Sequence, residues 1–135
     1  MSATESPPVW RFRLMLLTGL AVFILLVLWL RSRAEITSVE KRRTAMVGAL
    51  RAILAAQDAH QARHGRYAAS LDSLGGWTAP AGLAVSFGAW DGSTWRATVL
   101  DPSLQVPPTR CGLYIGRPEA SPHRAVVEPG VPACW

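Results

Sequence analysis

The sequence of 135 residues has little of what an active site needs. It has no glycine-rich loop that could cradle a phosphate, and Ser70, Ser73 and Ser86 lack the context of a nucleophile elbow. His60 and His64 have the spacing of half a metal site on a helix, but no H-E-x-x-H arrangement and no strong third ligand accompany them. We therefore predict that the protein is not an enzyme and has no catalytic, cofactor-binding or metal-binding residues.

Cysteine is also scarce, because Cys111 and Cys134 are the only two in the chain. A disulfide between them would close a loop of about 24 residues and stabilise a small domain by roughly 3 kcal/mol in the chain-entropy model. The alternative is a pair of unrelated buried thiols. Since disulfides persist outside the cytosol, a bridge would indicate that the C-terminal part of the chain lies in an oxidising compartment.

Charge is missing altogether from Leu14 to Leu30, a run of 17 residues. As a helix the run spans roughly 25 Å, slightly less than the hydrocarbon core of about 30 Å. Aromatic and arginine side chains at both ends can extend this span towards the headgroups. These anchor ends are Trp10, Arg11, Arg13, Trp29, Arg31 and Arg33. The pattern predicts a transmembrane helix over 14–30 that follows a short disordered tail over 1–13.

A cleaved signal peptide is the alternative interpretation of this segment. Its apolar stretch is usually about 7–15 residues long and ends near a small-x-small cleavage site. Here the run is longer, and the sequence after Leu30 is Arg-Ser-Arg-Ala-Glu, without an Ala-x-Ala-like site. We therefore expect the anchor to be retained.

The net charge of +5 is concentrated next to the predicted membrane helix. Residues 31–64 contain seven Lys and Arg against three acids, whereas residues 65–135 contain five of each. We predict that Lys41, Arg42 and Arg43 contact anionic lipid headgroups, although a solvated helix face is an equal alternative. The neutral C-terminal part lacks the basic patch with interleaved aromatics that nucleic-acid binding needs, so no nucleic-acid partner is expected.

The orientation of the chain is predicted from conflicting signals. Five basic residues follow the apolar run within 31–43 and two precede it, which by the positive-inside rule favours a cytoplasmic C-terminal domain. A disulfide favours the opposite side of the membrane. We predict a bacterial inner-membrane protein with a cytoplasmic N-terminus and a periplasmic C-terminal domain.

The helix is predicted to continue beyond the membrane as far as His64. Residues 31–64 contain no proline, and Gly65 is a plausible terminator. Apolar residues recur there on one helical face. They are Ile36, Val39, Val47, Leu50 and Leu54, with Met46 and Ile53 beside them. We expect one helix from Phe12 to His64, whose juxtamembrane half over 31–64 is amphipathic.

The segment over 65–135 is predicted to be a small β-rich domain. Strand-forming residues alternate in four stretches, and Asp91-Gly92 is a hairpin signal between the first two. The stretches are Ala84–Phe87, Thr94–Leu100, Cys111–Gly116 and Arg124–Glu128. The helix stripe around Met46–Leu54 would cover one face of a sheet of three or four antiparallel strands, which gives an α+β fold.

The series of motifs from about residue 44 to 135 resembles type IV pilins and pseudopilins. The similar segments are Leu50–His60, His64–Ala68, Leu71–Leu74, Trp95–Thr98, Cys111–Tyr114 and Pro132–Trp135. The resemblance implies an N-terminal helix that is half in the membrane and half packed on a four-stranded antiparallel sheet. It also implies a disulfide near the C-terminus, which here would join Cys111 and Cys134.

The start of the chain departs from that family. The stretch Trp10–Thr18 has no glycine before it and no acid within it, whereas prepilins have a glycine at the cleavage site and a buried glutamate soon after. The usual proline in the middle of the helix is also absent. Neither processing nor ordinary filament growth is therefore expected.

We predict a non-catalytic accessory subunit of a larger membrane complex of the secretion, respiratory or photosynthetic kind. The alternatives are a minor pseudopilin of a type II secretion or type IV pilus system and, less well supported, a periplasmic sensor. Partners would be anionic lipid and other subunits, with no cofactor. Helix contacts are predicted at the small residues Thr18, Gly19 and Ala21. A protein interface is predicted at Trp77 or Trp135, with Trp95 in the core.

Overall fold

The computed structural model describes residues 9–135, with the side chains of Trp10 and of every residue from Arg13 onward. Residues 1–8 of the predicted tail lie outside the described residues, and so does the side chain of the predicted anchor residue Arg11. The chain divides into two units, one as far as Ser38 and the other Val39–Trp135.

The described part of the first unit is helical. Helix α1 spans Val9–His64 and so begins three residues before Phe12, which makes residues 9–13 helical where a disordered tail was predicted. The large apolar side chains over 14–30 are exposed. Among the described residues, α1 is the one helix that is long and apolar enough to cross a membrane.

In the second unit α1 carries a single buried stripe. Its buried side chains recur every three or four residues and are Met46, Ala49, Leu50, Ile53 and Gln57. The stripe predicted to start at Ile36 begins later, because the Ile36 side chain is 68 % exposed. α1 ends at the predicted His64, where Gly65 has a left-handed φ of 72° and donates its N–H to the carbonyl of Gln61. Glycine adopts that conformation without the steric cost that a side chain would add.

Four strands form one antiparallel sheet in the order β1-β2-β3-β4. They are β1 (Ala84–Asp91), β2 (Thr94–Leu100), β3 (Arg110–Ile115) and β4 (Ala133–Cys134). The hairpin predicted at Asp91-Gly92 joins β1 to β2. Short 3-10 turns occupy Leu71–Leu74 and Pro118–Ala120. With α1, the sheet gives the predicted α+β class, with one long apolar N-terminal helix and four antiparallel strands.

Different parts of the chain cover the two faces of the sheet. Because side chains alternate along a strand, Leu113 and Tyr114 of β3 belong to opposite faces. Leu113 is buried in a cluster with the α1 stripe and with Trp95 of β2, as predicted for Trp95. Tyr114 is buried in a second cluster with Ala120 and Val126. The C-terminal segment therefore packs on the face that α1 leaves uncovered.

The strand predicted over Arg124–Glu128 is wrong. Val126 is buried against Tyr114, but its N–H donates to the carbonyl of His123, and its own carbonyl accepts from the Ser121 hydroxyl at 2.8 Å. Val126 thus contributes to core packing although its backbone is held in turns and not in a strand.

The fourth strand is the two-residue β4, and a disulfide joins it to β3. Cys111 lies directly opposite Cys134 in the register, and their sulfur atoms are bonded. Beyond it, the N–H of Trp135 donates to the carbonyl of Arg110 at 2.9 Å, while the Trp135 carbonyl accepts from the N–H of Thr109 at 3.0 Å. The covalent link and these hydrogen bonds hold the C-terminal residues at the sheet edge.

Candidate interaction surface

Two grooves lie at the end of the second unit where α1 ends, and both are lined by Trp90 and Asp91. The first has a volume of about 400 Å³ and lies between the end of α1, the loop that follows it and the β1–β2 turn. The second, of about 210 Å³, is lined on its other side by Arg117 and Glu119. We call the residues Arg66, Trp90, Asp91, Arg96 and Arg117 the Trp90 surface.

Trp90 is exposed because the ladder between β1 and β2 is irregular at this position. Ala89 pairs with Trp95 and Asp91 pairs with Thr94, so Trp90 is an extra residue without a partner in the ladder. Such a bulge re-aims a side chain at the end of a strand. The Trp90 side chain is 56 % exposed, whereas Trp95 is fully buried. The bulge therefore presents a large aromatic group to solvent.

Arg96 lies across the ring of Trp90. Its guanidinium carbon is 5.1 Å from the centroid of the ring, within the range of a cation–π contact. Gly88 is the cross-strand partner of Arg96, and a Cβ built at Gly88 would lie 3.8 Å from Arg96 Nε and 4.0 Å from Trp90 Cη2. Gly88 therefore lies in ordinary van der Waals range of both the arginine and the indole.

The carboxylate of Asp91 is held by its own turn. Asp91 Oδ1 accepts from the backbone N–H of Ser93 at 2.8 Å and from the Ser93 hydroxyl at 2.7 Å. Its other oxygen is 3.5 Å from Arg117 Nη2. The hydrogen bonds from Ser93 lower the pKa of Asp91 below its ordinary value. The negative charge of Asp91 is therefore already satisfied within the chain.

Arg66 is positioned by close packing on the β1–β2 turn. The N–H of Tyr67 donates to the carbonyl of Gly92 at 2.9 Å. A Cβ built at Gly92 would lie 3.0 Å from the Cβ of Arg66, so the arginine stem packs tightly on the turn. In the described part of the chain, no ion pair or hydrogen bond involves the guanidinium of Arg66 or that of Arg96. Both cations are free to bind an anionic group.

The last turn of α1 places two histidine rings together beside the first groove. The rings of His60 and His64 are 4.3 Å apart between centroids. Desolvation, and then the charges of His64 and Arg63, lower the pKa of His60 below its ordinary value of 6.5. At neutral pH, His60 therefore contributes a neutral imidazole to the groove, and Arg66 contributes the charge.

Two of the three predicted lipid-contacting residues, Arg42 and Arg43, make contacts within the second unit. Arg42 Nη1 donates to Asp101 at 3.2 Å and to the Ser103 hydroxyl at 2.6 Å. Arg43 Nη2 donates to the carbonyl of Pro107 at 3.2 Å. Lys41 is exposed. Headgroup contact at these positions stays a prediction, but the structure gives Arg42 and Arg43 the additional role of tying α1 to the loop between β2 and β3.

The tryptophans predicted to lie at an interface are both half-buried. Trp77 packs against the main core cluster and Trp135 against the cluster around Tyr114. Trp135 also stacks on His123, with ring centroids 4.6 Å apart. Their predicted interface role stays a prediction, whereas Trp90 is the more exposed side chain. The Asp91-Gly92 hairpin signal directly after Trp90 could have indicated this from sequence.

The predicted helix-contact patch lies on the exposed apolar run. Thr18, Gly19 and Ala21 are exposed, and the Thr18 hydroxyl donates back to the carbonyls of Leu14 and Met15, at 3.0 Å each. This internal hydrogen bonding is compatible with an apolar surrounding, because the hydroxyl has acceptors within the helix.

The remaining predicted anchor ends fall on the same helix. Trp10, Arg13, Trp29, Arg31 and Arg33 are exposed. The Arg33 guanidinium lies 4.8 Å from the centroid of the Trp29 ring. Trp29 and Arg33 thus form an aromatic and cationic pair at the C-terminal end of the apolar run, as anchor residues at an interface commonly do.

Metal-ligand side chains do not cluster in the described residues, where no group of three or more His, Cys, Asp or Glu lies together. Comparisons of the chain with models of protein families, with curated proteins and with solved structures give no match. The geometry of the two units is therefore the basis for any functional assignment.

Proposed function

We propose that the chain is a non-catalytic, single-pass membrane subunit that serves a larger membrane complex through its second unit. The observation that carries this proposal is the exposed apolar run of α1 over 14–30. Leaving apolar surface in water costs about 25 cal/mol per Å², so a run of this length favours burial in lipid. The Trp90 surface supports the second half of the proposal, since exposed Trp and Arg side chains are typical of protein interfaces.

We also propose that the second unit is pilin-like. This is supported by the helix stripe packed against a four-stranded antiparallel sheet and by the disulfide between Cys111 and Cys134. A minor pseudopilin is the alternative function that the same features favour. The lack of a prepilin cleavage motif and of a glutamate in the apolar run favours an accessory subunit over a polymerising one.

Purification of the full chain in a mild detergent tests the assignment. We expect it to elute with stoichiometric partners of a membrane complex. Co-elution with secretion or pilus proteins would favour the minor pseudopilin. A solitary monomer in several mild detergents would contradict both functions.

The proposed orientation, with the second unit in the periplasm of a bacterial inner-membrane protein, has its own test. Glu128 is exposed, so Glu128→Cys supplies a free thiol outside the disulfide. Labelling by a membrane-impermeant maleimide in intact spheroplasts supports a periplasmic second unit. Labelling only after lysis would reverse the orientation. Ser38→Cys is less suitable, since it lies at the boundary of the two units.

A further inference from the structure

We propose that the Trp90 surface is a docking site for an acidic segment of a partner protein that carries at least one apolar side chain. This inference rests on the proposed function, because it names the surface and the chemistry through which the subunit would engage its partner. It is drawn from the exposure of Trp90, the free charges beside it and the shape of the first groove.

The charges of the Trp90 surface are paired unevenly. Asp91 is satisfied by Ser93 and by Arg117. Arg66 and Arg96 lie on this surface without a carboxylate partner among the residues that the structure describes. Glu119 lines only the second groove, whereas the charge of Asp58 acts on Tyr67, which lines the first. The first groove therefore presents the guanidinium of Arg66 without an ion-pair partner.

Arginine at such a position selects for carboxylate. A guanidinium presents a planar fork of donors that matches a carboxylate in a bidentate manner, and charge-assisted hydrogen bonds of this kind are stronger than neutral ones. Each arginine is also partly ordered, because the stem of Arg66 packs on Gly92 and the guanidinium of Arg96 stacks on Trp90. Pre-organised groups lose less conformational entropy on binding, so less of the binding free energy is spent on ordering them.

Trp90 and the groove beside it are the reason why the partner segment should carry an apolar side chain. Exposed tryptophan that becomes desolvated is a frequent hot spot at interfaces. The groove of about 400 Å³ also includes Tyr67, Ala68 and Ala69, so it can accept an aliphatic or aromatic side chain next to the indole. A segment in which acidic and apolar residues alternate would satisfy the arginines and cover the indole together.

Binding of a defined peptide to the full chain in detergent micelles tests the proposal. The probe is a fluorescently labelled eight-residue peptide of alternating glutamate and leucine, and its counterpart replaces every glutamate with lysine. Anisotropy should show saturable binding of the glutamate peptide only. Raising the salt concentration from 50 to 300 mM should weaken it several-fold, because the arginines are exposed and screened by salt.

Single substitutions locate the site. We expect Trp90→Ala, Arg66→Gln and Arg96→Gln each to weaken binding about tenfold, which corresponds to about 1.4 kcal/mol. Arg124→Gln is the matched control, since Arg124 is exposed but, unlike Arg66, lines neither groove and, unlike Arg96, does not stack on Trp90, and it should change the affinity less than twofold. Circular dichroism and the thermal midpoint should show that each variant is folded, and Trp90→Phe provides a milder variant if Trp90→Ala is not.

Three results would overturn the proposal. The first is no binding of the glutamate peptide, and the second is an equal effect of Arg124→Gln, which would mean general charge attraction. The third is variant-sensitive binding to vesicles of anionic lipid but not to the peptide, which would make the surface a lipid site. Each result is independent of membrane insertion. Retention of the full chain in the membrane would still support the proposed function if peptide binding failed.

Discussion

At the scale of single residues, Gly112 shows how closely the C-terminal segment approaches the sheet. A Cβ at this position would lie 2.9 Å from Pro122 Cγ, 2.9 Å from Trp135 Cη2 and 3.1 Å from the carbonyl oxygen of Ala97. We expect Gly112→Ala to lower the free energy of unfolding by about 1–3 kcal/mol, because overpacking forces neighbours apart. Denaturant unfolding measures the change.

Gly48 provides the matched control for that substitution. It lies inside α1, and a Cβ there would meet nothing within 4 Å. Gly48→Ala should raise the free energy of unfolding by about 0.5–1 kcal/mol, since alanine favours the helix over the unfolded chain. If both variants changed stability in the same direction, the close packing of Trp135 on Gly112 would not be the cause.

Asp101 gives a second prediction at this scale, on pH. Its side chain is 2 % exposed, and hydrogen bonds from Ser103, followed by the contact with Arg42, lower its pKa below the ordinary value. A carboxyl whose pKa is lower in the folded state stabilises the fold above its unfolded pKa of about 3.9, and this contribution is lost as the pH falls through the lower folded value.

The substitution Asp101→Asn tests that contribution. It should cost about 1–3 kcal/mol at pH 7, because Arg42 and Ser103 lose a charged acceptor, and the variant should lose less stability than the native chain between pH 5 and pH 2. Unfolding in urea at several pH values gives the comparison. Asp72→Asn, at an exposed position, is the control. Parallel pH curves for the native chain and Asp101→Asn would contradict the prediction.

At the scale of elements, Gln57 joins the end of α1 to the loop that follows it. The buried Gln57 amide donates to the carbonyl of Ala68 at 3.1 Å and accepts from the Ala68 N–H at 2.8 Å. Gln57→Ala should lower the free energy of unfolding by about 2–3 kcal/mol, because both backbone groups lose their buried partner. Gln61→Ala, on the exposed side of α1, should change it by less than 0.5 kcal/mol. Equal effects would contradict this role.

The disulfide stabilises the smallest strand. β4 has only two residues, and its pairing with β3 depends on the link between Cys111 and Cys134, which are 23 positions apart. Replacing both cysteines with serine should cost about 3 kcal/mol. Hydrogen exchange at the Thr109 amide, which donates to the Trp135 carbonyl, should speed up more than exchange at the Val99 amide within β2. Uniform acceleration would mean global rather than local loosening.

Some elements of this fold could be predicted from the sequence, and others could not. The α1 stripe and β2 could be predicted because periodicity and burial coincide in them over many residues. β4 could not be predicted, because two residues carry no periodic signal and the strand depends on a long-range covalent link. The strand prediction over Arg124–Glu128 was wrong because Val126 is buried without strand pairing, while Val127 is exposed. The exposure of Trp90 could be indicated by the Asp91-Gly92 signal that follows it, but the approach of Arg66 and Arg96 to this position depends on long-range packing.

At the scale of the whole molecule, one helix belongs to two environments. Its residues over 14–30 expose apolar side chains, whereas Met46 to Gln57 supply the stripe that covers the sheet. The apolar run could be predicted from the absence of charge alone, since length and hydropathy suffice for a span. To predict that residues 39–135 fold around a stripe of the same helix, one also needs the spacing of three and four residues between the apolar positions in its second half.

Arginine substitutions in the apolar run test whether this run anchors the chain independently of the fold of residues 39–135. Phe23 lies near the middle of the run, and an arginine at the centre of a membrane helix costs roughly 2.5–3.5 kcal/mol on the insertion scale. Together Phe23→Arg and Leu26→Arg should move most of the chain from the carbonate-resistant membrane fraction to the extractable fraction. Ser32→Arg, placed among flanking arginines, should leave it in the membrane.

None of these substitutions lies within residues 39–135. The Cys111–Cys134 disulfide should therefore still form when the extracted chain is exposed to oxidant. Full retention of the double variant in the membrane would show that the apolar run is not what anchors the chain.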